Sequence, residues 1–312
     1  MVIVQAAGGL GNQMQQYAVY RKFLSAGADA RLDLSWFSAE NQENMRARRE
    51  CELTLFKDLP IRAADPEEVR KLADGDSFVS RLLRKSGIVK SKQFTESRMY
   101  HEDLFSLRDA YVTGYFACNR YYEDIMPELR QLFAFPESAD PENAERNRRT
   151  KEAIGGEAER GVLPVSVHIR RGDYLESGNA ELFGGICTPA YYEGAVKLTA
   201  ERYPGKQRHF YIFSDDPEYA SSLHFGEEGE ENTVLSFNTG RDSMLDMQLM
   251  SFCPVNICAN STFSFWGARL NAAEDAVRIR PLKQAHRFDY EPDVMHELWP
   301  GWELVDSEGR IR

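Results

Sequence analysis

No stretch of this 312-residue chain is long and apolar enough to span a membrane, and its short N-terminal apolar run has no basic flank. The sequence therefore predicts neither a transmembrane helix nor a secretion signal. Cysteine is scarce: the five cysteines are scattered, odd in number, and without the close Cys/His pairs of a zinc site. Free thiols of this kind are typical of a reducing compartment, so we expect a cytoplasmic protein.

Net positive charge is also missing. The formal net charge is −11, which argues against binding to nucleic acid or to an anionic lipid surface. Hydrophobic residues make up 42% of the chain and charged residues 28%, as in an ordinary globular protein with enough apolar material for a core. Two adjacent arginines in so acidic a chain are therefore a local exception.

Predicted strands and helices alternate along most of the chain, which indicates an α/β fold with parallel sheets. A polar, proline-punctuated segment at 136–152 separates two such series. We expect an N-terminal α/β domain over 1–145 and a C-terminal α/β domain over 160–290. These are two Rossmann-like halves facing across a cleft, with a parallel sheet in the second. Residues 291–312 form a tail that could pack back on the N-terminal half.

The region from 46 to 97 is charged and mostly helical in pattern, and its role is the least readable in the chain.

The most informative stretch runs from Val162 to Tyr174 and reads V-L-P-V-S-V-H-I-R-R-G-D-Y. Side chains alternate along a strand, so His168 and Arg170 share the face opposite the valines. In open α/β sheets ligands bind beyond the carboxyl ends of the strands, and arginine grips phosphate oxygens bidentately. The alternative is structural: Arg170 and Arg171 pair with Asp173 as an ion cluster.

A glycine-rich turn, G-G-L-G-N-Q, spans Gly8 to Gln13 between the first strand and the first helix. Glycines there let the backbone approach a ligand, and the helix N-terminus favours anions. The pattern approaches the dinucleotide fingerprint, with Asp33 near the end of the next strand, but Met14 stands where the third glycine belongs. The alternative is a turn that simply requires positive φ.

A third motif, F-S-D-D-P-E, ends the strand before Pro217. Pro217 suits the first helical position, which makes Asp216 the N-cap. Asp215 has no such duty, and its carboxylate could accept hydrogen bonds from the N1–H and N2–H₂ of guanine. An acid pair without histidine or a third carboxylate is poor support for a metal site.

A fourth motif, A-N-S-T-F-S-F-W-G-A, places Ser261, Thr262 and Ser264 at the start of a helix. Hydroxyls and free backbone N–H groups at that position can cradle phosphate. Ordinary N-capping by Ser261 or Thr262 is the alternative, and it is compatible with phosphate binding. One cationic, one acidic and one hydroxyl-rich site at strand ends together suit a nucleoside diphosphate.

The ordered motifs G-G-L-G-N-Q-M-x-Q-Y-A, H-I-R-R-G-D-Y, F-S-D-D-P-E and N-S-T-F-S-F-W-G-A-x-L resemble those of the α-1,2-fucosyltransferases of glycosyltransferase family 11. They span Gly8 to Leu270, and the H-x-R-R-x-D element is similar to one in α-1,6- and protein O-fucosyltransferases. The resemblance implies a GT-B fold, with the acceptor side in 1–145 and the nucleotide-sugar (GDP-fucose) binding domain in 160–290. It also implies transfer of L-fucose from GDP-β-L-fucose to the 2-hydroxyl of a β-galactoside glycan, with inversion and without metal or cofactor. A lipid-linked acceptor would place the enzyme near the inner membrane surface.

By the same resemblance, Arg170 would contact the diphosphate, His168 and Asp215 the guanosine, and Asn12 the cleft for sugar and acceptor. Asp173 is a candidate general base, but its alternative role is to orient Arg170 or Arg171, and the identity of the base stays open. The candidate substrate-binding residues are Gly11, Asn12, His168, Arg171, Asp215, Ser261, Thr262 and Ser264.

Two other functions are left open by the residues themselves. An NAD-dependent oxidoreductase would use Gly9, Gly11 and Asp33, but it leaves the arginines unexplained. A non-catalytic nucleotide-sugar-binding protein would bind GDP without transferring or hydrolysing the sugar.

Overall fold

The computed structural model describes residues 1–43, 48–74, 82, 85–87 and 90–312. The chain forms two compact units, Met1–Ala134 and Phe135–Arg312. Each unit contains a parallel sheet with helices, so the predicted α/β class and the parallel sheet of the second half are confirmed.

In the first unit the strand order is β2-β1-β4-β3, and every neighbouring pair is parallel. The central strand β1 is apolar and buried, and α1 packs beside it through a largely buried surface. The elements are β1 (Val2–Gln5), α1 (Leu10–Ser25), β2 (Ala30–Asp33), α2 (Pro66–Leu72), β3 (Gln93–Thr95), β4 (Ala110–Thr113) and α3 (Met126–Leu132).

The helical pattern predicted over 46–97 is observed only in part. A 3₁₀ turn forms at Glu52–Leu55, followed by α2, while β3 was not expected. Residues 44–47, 75–81, 83–84 and 88–89, on which much of that prediction falls, lie outside the described residues.

In the second unit the strand order is β10-β9-β8-β5-β6-β7, again with parallel neighbours. Its elements are α4 (Pro141–Glu159), β5 (Leu163–Ile169), α5 (Asn179–Phe183), α6 (Pro189–Arg202), β6 (Arg208–Ser214), α7 (Pro217–Ser221), β7 (Glu231–Leu235), α8 (Met244–Met250), β8 (Val255–Ile257), α9 (Thr262–Leu270), β9 (Val277–Pro281), α10 (Pro292–Leu298) and β10 (Glu303–Val305).

Both margins of the second unit differ from the sequence expectation. The segment expected as an interdomain boundary is mostly α4, which belongs to the second unit, so the division falls at 134/135 rather than after 145. Residues 291–312, expected as a tail, contribute α10 and β10 to the second unit, and β10 pairs with β9. Buried Leu304 and Val305 make that pairing part of the core.

The strand β5 has the two-faced pattern that its sequence predicts. Val165, Val167 and Ile169 join a core cluster that includes Tyr191 of α6. On the opposite face the Ser166 hydroxyl accepts a hydrogen bond from the Asn256 amide at 2.7 Å. Since all strands are parallel, the segments that follow β5, β6 and β8 emerge at one edge of the sheet. Within the described ranges, no helix is both long and apolar enough to cross a membrane.

Candidate active site

Arg170 directly follows the last residue of β5, and its guanidinium is held by two carboxylates. Its Nη2 donates to Asp173 Oδ1 at 2.6 Å, and its Nη1 lies 3.0 Å from Asp215 Oδ2. The side chain is 27% exposed, so the cation is fixed in orientation yet remains accessible to a ligand. The predicted ion cluster therefore exists, and it leaves part of a planar donor group facing solvent.

Asp215, which follows β6, contacts the loop that carries the two arginines. Its Oδ1 accepts a hydrogen bond from the backbone N–H of Arg171 at 2.9 Å, while Oδ2 pairs with Arg170. A Cβ at Gly172 would lie only 2.4 Å from Asp215 Oδ2. Glycine is required here because the carboxylate packs directly against the backbone. The sequence assigned Asp215 to guanine, whereas in the structure both of its oxygens have partners within the loop.

Asp216 and Arg171 form a second pair beside the first. Asp216 caps α7 by accepting from the Tyr219 N–H at 3.0 Å, with Pro217 at the first helical position, as predicted. Its other oxygen accepts from Arg171 Nε at 3.0 Å. The hydrogen bond from Tyr219 and then that from Arg171 hold the Asp216 pKa below its usual range. The Arg171 guanidinium lies 3.6 Å from the centroid of the Tyr219 ring, a cation–π contact.

His168 lies two residues before Arg170 in the chain and is 5% exposed. Burial, aided by the charge of Arg170, lowers the pKa of its imidazole to about 3, so the ring is neutral at physiological pH. Among the described residues, Nδ1 finds no hydrogen-bond partner. The ring centroid lies 5.7 Å from that of Phe263, at the start of α9.

The hydroxyl-rich motif lies at the start of α9. Ser261 is the N-cap, and its side chain accepts from the Phe263 N–H at 3.4 Å, so the predicted capping role is present. Thr262 is the half-buried first helical residue. The Ser264 hydroxyl is buried and donates to the carbonyls of Ser261 at 3.2 Å and Ala259 at 3.4 Å, so it is used within the helix turn.

Tyr174 joins the arginine loop to this helix start. Its hydroxyl donates to the Asn260 carbonyl at 3.2 Å, and its ring stacks on Phe183 at 4.8 Å. The Arg170 guanidinium lies 5.5 Å from the centre of the same ring. Burial raises the Tyr174 pKa to about 12, so the hydroxyl remains a donor.

Asn260 fixes the other end of that connection. Its buried amide donates to the Phe183 carbonyl at 3.0 Å and to the Gln284 carbonyl at 3.1 Å. The sequence analysis assigned no role to Asn260, Tyr174 or Gly172. Their only signal was membership of the same two motifs as Arg170 and Ser261.

The second unit thus brings Arg170, Arg171, Asp173 and Asp215 into one cluster. A cavity of about 510 Å³ is lined by both arginines and continues along α6. Its wall is rich in tyrosine, with Tyr174, Tyr192 and Tyr219 among the lining residues. Cations beside aromatic surface suit a ligand that carries both an anionic group and a ring.

The other predicted residues, Gly11 and Asn12, lie in the first turn of α1 and belong to the first unit. Gly8 adopts φ +79°, as the turn alternative required, and a Cβ there would lie 2.9 Å from Asn12 Nδ2. The backbone therefore folds tightly over the Asn12 side chain.

Two buried glutamines of α1 were missed by the sequence analysis. Gln13 Nε2 donates to the carbonyls of Gly8 at 2.8 Å and Glu50 at 3.0 Å, and Oε1 accepts from the Glu52 N–H at 2.8 Å. Gln16 accepts from the Ala7 N–H at 2.8 Å and donates to the Gly114 carbonyl at 2.9 Å. These amides tie the loops after β1 and β4 to the helix.

Asp33 has a structural role that disfavours the dinucleotide interpretation. Its buried carboxylate accepts from the Ser35 N–H at 2.9 Å and from the Tyr111 hydroxyl at 2.6 Å. Burial, with the Asp33 hydrogen bond, raises the Tyr111 pKa, so that hydroxyl stays a donor. The acid that would bind a ribose is therefore engaged inside the first unit.

Comparison with known proteins identifies the family. The family described as Glycosyl transferase family 11 matches residues 84–303. The chain belongs to this family. Its reaction class is glycosyl transfer, and the oxidoreductase alternative is set aside.

Two curated relatives from Escherichia coli extend over almost the whole chain. An α-1,2-colitosyltransferase is 29% identical in an alignment of 314 positions, which covers 96% of this chain and 98% of that protein. The O-antigen biosynthesis glycosyltransferase WbnK is 30% identical over 291 residues, covering 89% and 92%. Among solved structures, the NodZ α-1,6-fucosyltransferase soaked with GDP-fucose matches 86% of this chain and 91% of its own, at 14% identity and a TM-score of 0.45.

Proposed function

We propose that this family 11 enzyme transfers L-fucose from GDP-β-L-fucose to the 2-hydroxyl of a β-galactoside glycan, with inversion and without a metal ion. The observation that carries the proposal is the Arg170 guanidinium, which is held by Asp173 and Asp215 at the carboxyl edge of the parallel sheet. This is where α/β sheets bind ligands, and the fork geometry matches a diphosphate.

In the proposed reaction the acceptor hydroxyl attacks the sugar carbon from the face opposite GDP. The C–O bond to the diphosphate breaks as the new glycosidic bond forms, and negative charge grows on the departing phosphate oxygen. Arg170 would stabilise this charge by bidentate hydrogen bonds, and Arg171 would add a second positive charge nearby. Preorganised donors of this type are commonly worth about 3–4 kcal/mol in the transition state.

The acceptor proton must also leave, and Asp173 is the acid next to the arginines in the chain. In the structure its Oδ1 is 2.6 Å from Arg170 Nη2, a contact that favours an orienting role over a role as general base. Ser261 and Thr262 would add hydroxyl or backbone donors at the start of α9, where the helix dipole also favours an anion.

A second donor deserves a direct comparison because one relative is named an α-1,2-colitosyltransferase. Colitose differs from fucose only in lacking the 3-hydroxyl group. A site built to hydrogen-bond that hydroxyl would discriminate strongly against colitose, whereas an apolar site would not discriminate against fucose to the same extent.

The test is incubation of the purified chain with GDP-β-L-fucose, or with GDP-colitose, and a panel of β-galactoside acceptors. We expect a product whose new linkage is α-1,2 by NMR, and GDP released in equal amount. Arg170→Ala serves as the inactive control. GDP binding without transfer or hydrolysis, for either donor and every acceptor, would instead support a non-catalytic binding protein. A faster reaction with GDP-colitose would identify that compound as the donor and leave the proposed mechanism unchanged.

A further inference from the structure

A second cluster of ionisable side chains lies in the same unit at the opposite end of the sheet. Glu157 near the end of α4, His209 in β6 and Glu231 in β7 place one ligand atom each within 4.8 Å of the others. His209 is the second residue of β6, and Asp215 follows the last. His209 and Asp215 are six steps apart along the chain, about 20 Å at 3.3 Å per step. The cluster is therefore remote from the arginine site.

One distance in this cluster is that of a hydrogen bond, and the other matches the spacing of ligands around a metal ion. His209 Nδ1 lies 2.8 Å from Glu157 Oε1 and 3.4 Å from Glu231 Oε2. Ligands around a tetrahedral Zn²⁺, bound at about 2.0–2.1 Å, are separated by roughly 3.3 Å. The distance from His209 Nδ1 to Glu231 already matches that separation. The distance to Glu157 is that of a hydrogen bond and must lengthen by about half an ångström.

Burial makes the carboxylate of Glu157 unusual. The residue is only 9% exposed, and within the part of the chain that the structure describes no donor has hydrogen-bonding geometry to its Oε2, although the Tyr211 hydroxyl interacts with this carboxylate. A buried carboxylate oxygen without a donor is costly unless a cation or a donor satisfies it. Glu231, by contrast, has a side chain that is 75% exposed, so the cluster is open to solvent on one side.

The ring nitrogen of His209 that faces away from the two glutamates has a hydrogen-bond partner of its own. His209 Nε2 lies 2.8 Å from the Thr233 hydroxyl, and the ring stacks on Tyr211 with centroids 4.2 Å apart. Metal-bound histidines donate their second ring N–H to a fixed acceptor, which sets the tautomer and leaves the other nitrogen for the metal. Thr233 can serve as that acceptor, so Nδ1 would carry the lone pair toward Glu157 and Glu231.

We propose that Glu157, His209 and Glu231 bind a divalent cation of the Zn²⁺ type, with water completing its coordination. Two carboxylates and a neutral imidazole balance the charge of a divalent ion, and this mixed N/O set suits zinc. The ion would join α4 to β6 and to the edge strand β7. Its role is stability of the second unit, and it takes no part in glycosyl transfer.

The experiment uses the full chain, treated with EDTA and dialysed, and then titrated with ZnCl₂ by calorimetry. We expect one-to-one binding and a rise in the thermal unfolding midpoint when Zn²⁺ is added. Glu231→Gln should weaken binding at least tenfold without disturbing the fold, since the side chain is exposed. Glu228→Gln, an exposed acid close by in the chain, is the matched control and should bind normally.

Thr233→Val retains all three ligands but removes the acceptor for His209 Nε2. Loss of such a partner typically costs ten- to a hundredfold in metal affinity. Absence of Zn²⁺ binding to the wild-type chain would overturn the proposal. So would binding that Glu231→Gln and His209→Gln leave unchanged, because the ion would then lie elsewhere. Since calorimetry and unfolding need no donor sugar, these outcomes are independent of the proposed transfer reaction.

Discussion

Arg170 receives its orientation from two carboxylates, one three residues along the chain and one at the end of the neighbouring strand. Each of these contacts is ordinary in a partly exposed ion cluster. Their combination holds a planar group of donors at the sheet edge before any ligand arrives, and this preorganisation is what a developing negative charge requires.

Replacing Arg170 should therefore damage turnover far more than folding. We expect Arg170→Ala to lower kcat/KM by roughly 10²–10³-fold, as for loss of a preorganised donor. Arg170→Lys should also be poor, because an ammonium group cannot reproduce the bidentate fork. Kinetics and thermal melts of both variants test this, with Arg148→Ala as the control, since Arg148 is exposed on α4. Near-normal transfer by Arg170→Ala, or its simple unfolding, would show that the site is assigned wrongly.

Asp215 and Asp216 are adjacent but should respond differently to the same change. Asp215→Asn weakens the grip on Arg170 and on the Arg171 N–H, and loss of a charged partner costs about 1.5–3 kcal/mol, so GDP affinity should fall roughly ten- to a hundredfold. Asp216→Asn should be mild, because asparagine caps helices about as well as aspartate. Calorimetric titration of both variants with GDP measures the difference.

The same titration with ADP distinguishes two roles of Asp215. If Asp215 orients Arg170, as its contacts favour, Asp215→Asn weakens GDP and ADP by similar factors. If it reads guanine, as the sequence first indicated, only the preference for GDP collapses. A larger loss with Asp216→Asn than with Asp215→Asn would reverse the division of labour between the two acids.

Short-range sequence patterns predicted the structural role of some residues but not of others. The N-caps Asp216 and Ser261 follow from short-range sequence, because a cap bonds a backbone N–H two or three residues away. The Arg171 N–H that bonds to Asp215 lies 44 residues away in the chain, and the Glu52 N–H that bonds to Gln13 lies 39 residues away. Such contacts depend on how strands and loops are brought together, which residue type and spacing do not show.

The loop after β5 turns in a 3₁₀ segment that begins at Gly172 and packs it on Asp215. Gly172→Ala would place a methyl group 2.4 Å from Asp215 Oδ2, so either the carboxylate or the loop must move. We expect a loss of transfer at least tenfold, with a smaller change in the unfolding midpoint, since the loop is at the surface.

Gly155→Ala in α4 is the control for that substitution. Its Cβ would meet nothing within 4 Å, and alanine in a helix interior gains about 0.5–1 kcal/mol over glycine. Transfer by Gly172→Ala at the rate of Gly155→Ala would mean that the close approach of Asp215 is unimportant for catalysis.

Among the larger elements, buried apolar strands were easy to predict and charged elements were not. β5 and β6 were found because their cores are apolar, and both lie where expected. α4 was interpreted as a boundary segment because it is polar, with Ile154 as its one buried apolar side chain. Its Asp140 cap before a proline and its Glu/Arg pairs at i,i+4 spacing were available helix signals.

β9 was missed for a related reason. Its sequence, V-R-I-R-P, reads as an exposed charged segment, yet Arg280 is fully buried with its guanidinium 4.0 Å from the Trp299 ring centroid. An arginine stacked on aromatic rings can enter a core, and nothing in the local sequence reveals that the rings of α9 and the Trp299 segment will be there.

For the molecule as a whole, stability should depend on pH through Asp246. Burial raises the pKa of this carboxyl to about 7, although a hydrogen bond from Asn238 lowers it in part. The unfolded chain holds an aspartate pKa near 3.9, so the folded state binds more protons between these values. The free energy of unfolding should therefore fall as pH rises from about 4 to about 7, and then level off.

Asp246→Asn removes that titration but keeps an oxygen to accept from Asn238. We expect the variant to be more stable than wild type at pH 8, by on the order of a few kcal/mol, and similar at pH 4. Thermal or denaturant unfolding across this range measures it, with the exposed Asp275→Asn as control. An unchanged pH profile would place the Asp246 pKa near its ordinary value.

The two-part α/β organisation was visible in the alternation of strands and helices, and the ordered motifs predicted the family to which the chain belongs. The margins of the second unit were not predicted, because α4, β9 and β10 carry weak apolar signals. Candidate functional residues at strand ends were easier to predict, because parallel strands bring their carboxyl ends to one edge of the sheet regardless of loop conformation.

The most direct test of this account is the initial rate of fucosyl transfer to a β-galactoside in EDTA, compared with added Mg²⁺ or Mn²⁺. The assay is run well below the unfolding temperature of the EDTA-treated chain, so that the protein stays folded even without a structural cation. Arg170→Lys is measured alongside. We expect the full wild-type rate in EDTA and a slow Arg170→Lys reaction under every condition. Loss of wild-type transfer in EDTA that Mg²⁺ or Mn²⁺ restores would contradict the role given to Arg170.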